Sequence, residues 1–158
     1  MDQTTIAVLC GTGQQGGALA LRWARAGHAL LIGSRDVKRA VAKAKEIAAR
    51  AGAAARVEGA ALEDAARAGA VAVLSVPYAA QRETLDRIKP HVAGKLVIDV
   101  TVPLTPPRVA RVQLPPEGAA ALVTQAVLGP GVKVVSAFQN VAAHLLEAEG
   151  EVPCDVLV

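Results

Sequence analysis

The strongest constraint on this chain lies near its start, where the apolar run TIAVLC, Thr5 to Cys10, breaks into Gly11, Gly13 and Gly16 in the spacing G-x-G-x-x-G. The run has the character of a buried strand, and the recurrence of Ala18, Leu19 and Trp23 at three- and four-residue steps predicts a helix. Gly27 ends that helix, and a second strand, ALLIGS, follows His28. Strand, helix and strand within about thirty residues match a parallel βαβ crossover. In that setting Gly11 permits the turn, Gly13 lets a pyrophosphate approach the backbone, and Gly16 lets the helix lie close to the strand. Free N–H groups at the helix start form an anion site, to which Thr12, Gln14 and Gln15 add side-chain or backbone donors. No Gly-Lys-Ser/Thr sequence follows, so a nucleoside triphosphate loop is excluded.

The alternation continues. Residues 36–51 place Ala40, Val41, Ala44, Ile47, Ala48 and Ala51 on one helical stripe, with Asp36 as cap and Gly52 as terminator. A weak strand is expected around Arg56 to Glu58, then a short helix LEDAARAG and the continuous apolar run AVAVLSVP of a strand buried on both faces. AAQRETLDRIKPHV reads as a helix broken at Pro90, and KLVIDV as a fifth strand. This pattern predicts an α/β fold with a doubly wound, mainly parallel sheet, the Rossmann arrangement, as one domain over residues 1–158. A proline-rich loop at 101–118 interrupts the rhythm before a helix over 119–128, a sixth strand VKVVSAF and a helical stretch from Val141 to Glu147. The final CDVLV reads as a strand cut short by the chain end, the mark of a shortened chain.

With 158 residues the chain can bury a sizeable core, and 53% apolar but only 2% aromatic residues mean that Ala, Val, Leu and Ile must close it. The formal charge of +3 is scattered, without the basic stripe of a nucleic-acid binder. Cys10 and Cys154 lack metal-ligand spacing and read as two reduced core thiols; no metal is expected. Asp2 replaces the basic start of a leader, and arginines interrupt the early apolar segments, which points to a soluble cytoplasmic protein without membrane contact.

The end of the second strand selects the dinucleotide. An acid there would accept from a free ribose 2′-hydroxyl, but the sequence is IGSRDVKR. Ser34 and Arg35, with Lys38 and Arg39 a turn later, offer a hydroxyl and cations to a 2′-phosphate, favouring NADP(H) over NAD, FAD or a methyl-donor cofactor. The alternative is a solvated basic helix start that Asp36 caps.

GTGQQG, IGSRD, VLSVPY, VIDVTVPL and VVSAFQNVAA, in that order, resemble the NADPH-dependent reductases of the deazaflavin coenzyme F420, over essentially the whole chain. The resemblance implies hydride transfer between NADP(H) and F420, a small-molecule redox acceptor, in a homodimer. It places Thr12, Gly13, Gln14 and Gln15 at the pyrophosphate, within the cofactor turn that Gly11 and Gly16 shape, and Ser34, Arg35 and Arg39 at the 2′-phosphate. Val76 and Pro77 would border the nicotinamide ribose, while Thr101, Val102, Pro103, Ala137, Gln139 and Asn140 would flank the nicotinamide and the acceptor. Some members carry a histidine at the place of Gln139, so no titrating group is expected beside the rings here.

Hydride transfer between stacked rings asks the protein for placement and water exclusion rather than nucleophilic attack. His28, His91 and His144 accordingly read as structural or solvated. Asp99, at a strand end, either serves the site or caps the next loop. The amides of Gln139 and Asn140 either bond a ring carbonyl or carboxamide, or cap their own loop. Two other functions fit the same fold: a non-catalytic NADP-binding accessory module, and a flavin reductase. An imine or hydroxy-acid reductase would need a proton donor near Asn140, and none is evident.

Overall fold

The computed structural model of the chain describes residues 4–108 and 110–158; Asp2 and Val109 of the proline-rich loop lie outside the described residues. Six strands form one parallel sheet: β1 (Thr5–Leu9), β2 (Ala29–Ser34), β3 (Arg56–Ala61), β4 (Val71–Leu74), β5 (Leu96–Asp99) and β6 (Lys133–Ser136). Their order is β3-β2-β1-β4-β5-β6. The chain winds outward from β1 in one direction and from β4 in the other. Crevices at the carboxyl ends of such a sheet open where the winding reverses, between β1 and β4.

The helices are α1 (Gln14–Arg25), α2 (Val37–Ala51), α3 (Leu62–Ala68), α4 (Gln81–Ile88), α5 (Ala120–Leu128) and α6 (Ala143–Glu147). Period-two alternation assigns them to the two faces. Ala7 and Leu9 of β1 join Ala72 and Leu74 of β4 on the face that Leu62, Leu85 and Leu128 cover from α3, α4 and α5. Val8 and Ile32 point the other way, against Leu21 of α1 and Ile47 of α2, while Val73 meets Leu19 and Leu146. Each fully buried Leu or Ile contributes roughly 1.5–3 kcal/mol relative to exposure, and the small Ala and Gly residues between them let helices approach the sheet closely.

Asp36 caps α2 as expected: its carboxyl oxygen accepts from the amides of Lys38 and Arg39 at 2.9 and 3.3 Å. Three expectations are corrected. β3 runs from Arg56 to Ala61, beyond the short strand expected, because it pairs with β2 along its whole length. CDVLV forms no strand; residues 151–158 carry no regular structure and are almost wholly exposed. Cys154 is therefore exposed rather than a core thiol, and Cys10 is only half-buried; both are free. Among the described residues no helix is long and apolar enough to cross a membrane.

Candidate functional site

The glycine turn begins at Cys10, whose φ of 60° turns the chain away from β1. The amides of Gly11 and Gly13 then close tight turns onto the carbonyls of Val8 and Cys10. Gly11 and Gly16 are demanded by packing: a Cβ at Gly11 would lie 2.9 Å from the Val8 carbonyl, and one at Gly16 would strike the Ser75 hydroxyl and lie 3.0 Å from the Gly11 Cα. Gly13 is different. Its φ of −78° suits any residue, and a Cβ there would meet only the Cys10 carbonyl, at 3.7 Å. What the missing side chain leaves at Gly13 is room at the helix start.

That helix start is uncapped. No side chain bonds to it, the first turn holds no acid, and among the described residues no acceptor takes the N–H groups of Gln14, Gln15 or Gly16. With the helix dipole, these amides present partial positive charge to whatever occupies the room beside Gly13.

Three strand ends meet there around a groove of about 420 Å³. Cys10, Thr12 and Gly13 enter from β1, Ser34, Arg35 and Arg39 from β2 and α2, and Ser75, Val76 and Pro77 from β4. Ser34 is buried, and its hydroxyl oxygen accepts from the Asp36 amide at 3.2 Å, which leaves the O–H proton free to be donated. Arg35 faces Glu83 of α4, with a guanidinium nitrogen 3.6 Å from its carboxylate. Ser75 donates to the Leu9 carbonyl at 2.9 Å and so ties β1 to β4 at the reversal point. Burial pushes the Cys10 thiol above its ordinary value of 9.0, only partly offset by the positive charges of Arg35 and Arg87, so a neutral thiol faces the groove at physiological pH.

The remaining predicted residues do not line this groove. Thr101, Val102 and Pro103 leave β5, and Ala137, Gln139 and Asn140 leave β6, farther along the same carboxyl edge. Asp99 is fully buried and settles as a structural group: its carboxyl accepts from the Thr101 amide (2.7 Å), the Thr124 hydroxyl (2.6 Å) and the Gln81 amide (3.1 Å). The Thr101 hydroxyl is buried without a partner. The amide of Gln139 donates to the Asp99 carbonyl and the Ser136 hydroxyl, and that of Asn140 to the Asp155 carbonyl at 2.7 Å, so both are engaged in holding loops. Gln15 likewise turns its side chain away from the groove, to the carbonyls of Phe138 and Val141. His28 and His144 are exposed.

Cys10, Ser75 and Glu83 escaped the sequence reading. Ser75 stands inside the quoted VLSVP, where its offset from β4 was a usable signal; nothing local marks Glu83, which arrives from another helix.

The strand order, the glycine turn beneath a helix start and the groove at the winding reversal define an α/β protein of the Rossmann class. The sequence model described as "NADP oxidoreductase coenzyme F420-dependent" matches residues 5–103, and the chain belongs to that family. It is 42% identical to the F420-dependent NADP reductase of Methanocaldococcus jannaschii, over 97% of this chain and 71% of that protein. The enzyme of the same name from Methanothermobacter marburgensis is also 42% identical, with the same coverage. A solved structure from Arthrobacter sp. FB24, provisionally designated an F420-dependent NADP reductase, superposes with a TM-score of 0.75 at 28% identity, covering 90% of this chain and 65% of that one.

Proposed function

We propose that this protein is an oxidoreductase that binds NADP(H) in the groove between β1, β2 and β4 and transfers a hydride between it and the deazaflavin coenzyme F420. The observation that carries the reading is Gly13, which neither the backbone nor the protein's own packing requires, standing at an uncapped helix start on the same groove as Ser34, Arg35 and Arg39. Family membership and the names of the relatives support the acceptor.

When bound, NADPH would supply the hydride. The chain's own tasks are then to bind, orient and exclude water. The amides of residues 14–16 take the pyrophosphate, and the glycine at 13 admits it. The Ser34 O–H and the guanidinium groups of Arg35 and Arg39 take the 2′-phosphate through charge-assisted hydrogen bonds. Val76 and Pro77 border the nicotinamide ribose. Thr101, Val102, Pro103, Ala137, Gln139 and Asn140 shape the place where the acceptor stacks. Ring placement governs a direct hydride transfer, and the proton that the reduced acceptor also takes up would come from solvent, since none of these side chains is an acid or a base.

The protein is expected to act in the cytoplasm as a homodimer, without nucleic-acid or membrane partners; a monomer in sedimentation would remove the dimer. For the activity, NADPH and oxidised F420 are mixed with the protein and the acceptor's visible absorption is followed. Bleaching supports the transfer. Tight NADPH binding without bleaching would reduce the function to that of a nucleotide-binding module, and no binding would overturn the reading altogether.

A further inference from the structure

The two halves of the proposed site, the pyrophosphate turn and the loop after β6, are far apart in sequence and share no strand. One side chain joins them. Gln15, in the first turn of α1, donates its side-chain amide to the Val141 carbonyl at 2.9 Å and to the Phe138 carbonyl at 3.4 Å. The same loop is closed on itself by the Val141 amide, which donates to Phe138 at 3.3 Å. Phe138 holds a φ of 70°, in the left-handed region that non-glycine residues seldom adopt. Its ring rests edge-on against Trp23, two turns along the same helix, with centroids 5.8 Å apart.

Helix α1 thus carries, at one end, the free amides of the anion site and, on its flank, two of the contacts that restrain Phe138 in a costly conformation. Strain of this kind persists only where the surroundings impose it. Gln15 supplies the polar half of that restraint and Trp23 the apolar half. The loop so held contains Gln139 and Asn140 and follows Ala137 directly.

We propose that Gln15 is a positioning residue: through its amide it fixes the Phe138–Val141 loop to the pyrophosphate helix, and so sets the nicotinamide and acceptor end of the site in register with the phosphate end. The proposal rests on the NADP(H) reading given above. It assigns the Gln15 side chain to the loop, and only its backbone N–H to the pyrophosphate.

The test compares wild type with Gln15→Met, which keeps length and helix propensity but cannot donate. Adenosine 2′,5′-bisphosphate probes the phosphate end alone and NADPH probes both ends. The variant should bind the bisphosphate within about twofold of wild type, while its NADPH dissociation constant rises roughly three- to tenfold, the size of one lost hydrogen bond. Trp23 is the only tryptophan, so acrylamide quenching of its emission reports the loop without any ligand and should increase. Equal losses for both ligands would make Gln15 a structural residue of the turn and overturn the proposal, as would an unchanged NADPH constant or unchanged quenching. Wild-type protein that binds neither ligand would instead sink the NADP(H) reading, with quenching alone still deciding whether Gln15 holds the loop.

Discussion

Arg35 at the end of β2 faces Glu83 at the start of α4 across the mouth of the groove, 3.6 Å apart, with both side chains more than half exposed. A pair so solvated adds little to stability. In the proposed NADP(H) site its consequence would lie in binding, because Glu83 would compete with the 2′-phosphate for the same guanidinium. Arg35→Ala should weaken NADPH by about 1.5–3 kcal/mol while leaving NADH nearly unchanged. Glu83→Gln should do the opposite and tighten NADPH a few-fold, most visibly at low salt. Calorimetry with both dinucleotides checks this; equal effects on the two would refute the phosphate assignment.

The glycines at 13 and 16 should separate binding from folding. Gly13→Ala enters open space at an ordinary φ, so the urea midpoint should correspond to a change within about 1 kcal/mol, yet NADPH affinity should drop at least tenfold. Gly16→Ala meets the Ser75 hydroxyl and the Gly11 backbone, and overpacking of this kind costs about 1–3 kcal/mol.

Asp99 should behave as a keystone of the β5, α4 and α5 junction. Asp99→Ala strands the Thr124 hydroxyl and the Thr101 amide in a buried site, while Gln81 keeps the Ala120 carbonyl and the Thr124 oxygen as acceptors. Each unsatisfied group costs about 1–3 kcal/mol, so chemical denaturation should register a loss of about 2 kcal/mol or more. A loss below 1 kcal/mol would show that water or a shifted loop takes over these bonds.

The two thiols should differ in reactivity. Cys154 is exposed, whereas the folded Cys10 thiol loses its proton only above the ordinary value of 9.0 because burial disfavours the thiolate. Raising Cys10's value above that of the unfolded chain means that the contribution of its neutral form to stability is complete below the unfolded value and fades as pH climbs through the folded one. With a thiol alkylating agent at pH 7, mass spectrometry should find Cys154 modified well before Cys10, and NADPH should slow Cys10 further.

Much of this was legible in the residue order. The βαβ start, the cap at Asp36 and the terminators at Gly27 and Gly52 depend on φ/ψ preferences and on periodicities that act within a few residues, and these need no knowledge of distant partners. The convergence of Ser34, Arg35 and Arg39 on one groove was legible in the same way, because the end of β2 and the first turn of α2 adjoin along the chain. The misreadings share one cause. β3 gains its later residues only by pairing with β2, CDVLV joins no strand of the sheet, and an apolar flank around Cys10 did not reveal that the chain turns there with its thiol toward a groove.

Sequence alone therefore determined the alternation of elements, the glycine turn at the start of α1 and the cations after β2, since each is set by neighbours along the chain. Tertiary packing decided which side chains meet: Glu83 before Arg35, Gln15 beneath Val141, and Gln81 and Thr124 around Asp99. Those meetings arise because doubly wound strands bring the ends of remote segments to one edge of a sheet, where hydrogen bonding depends on separation in space and not on separation in sequence.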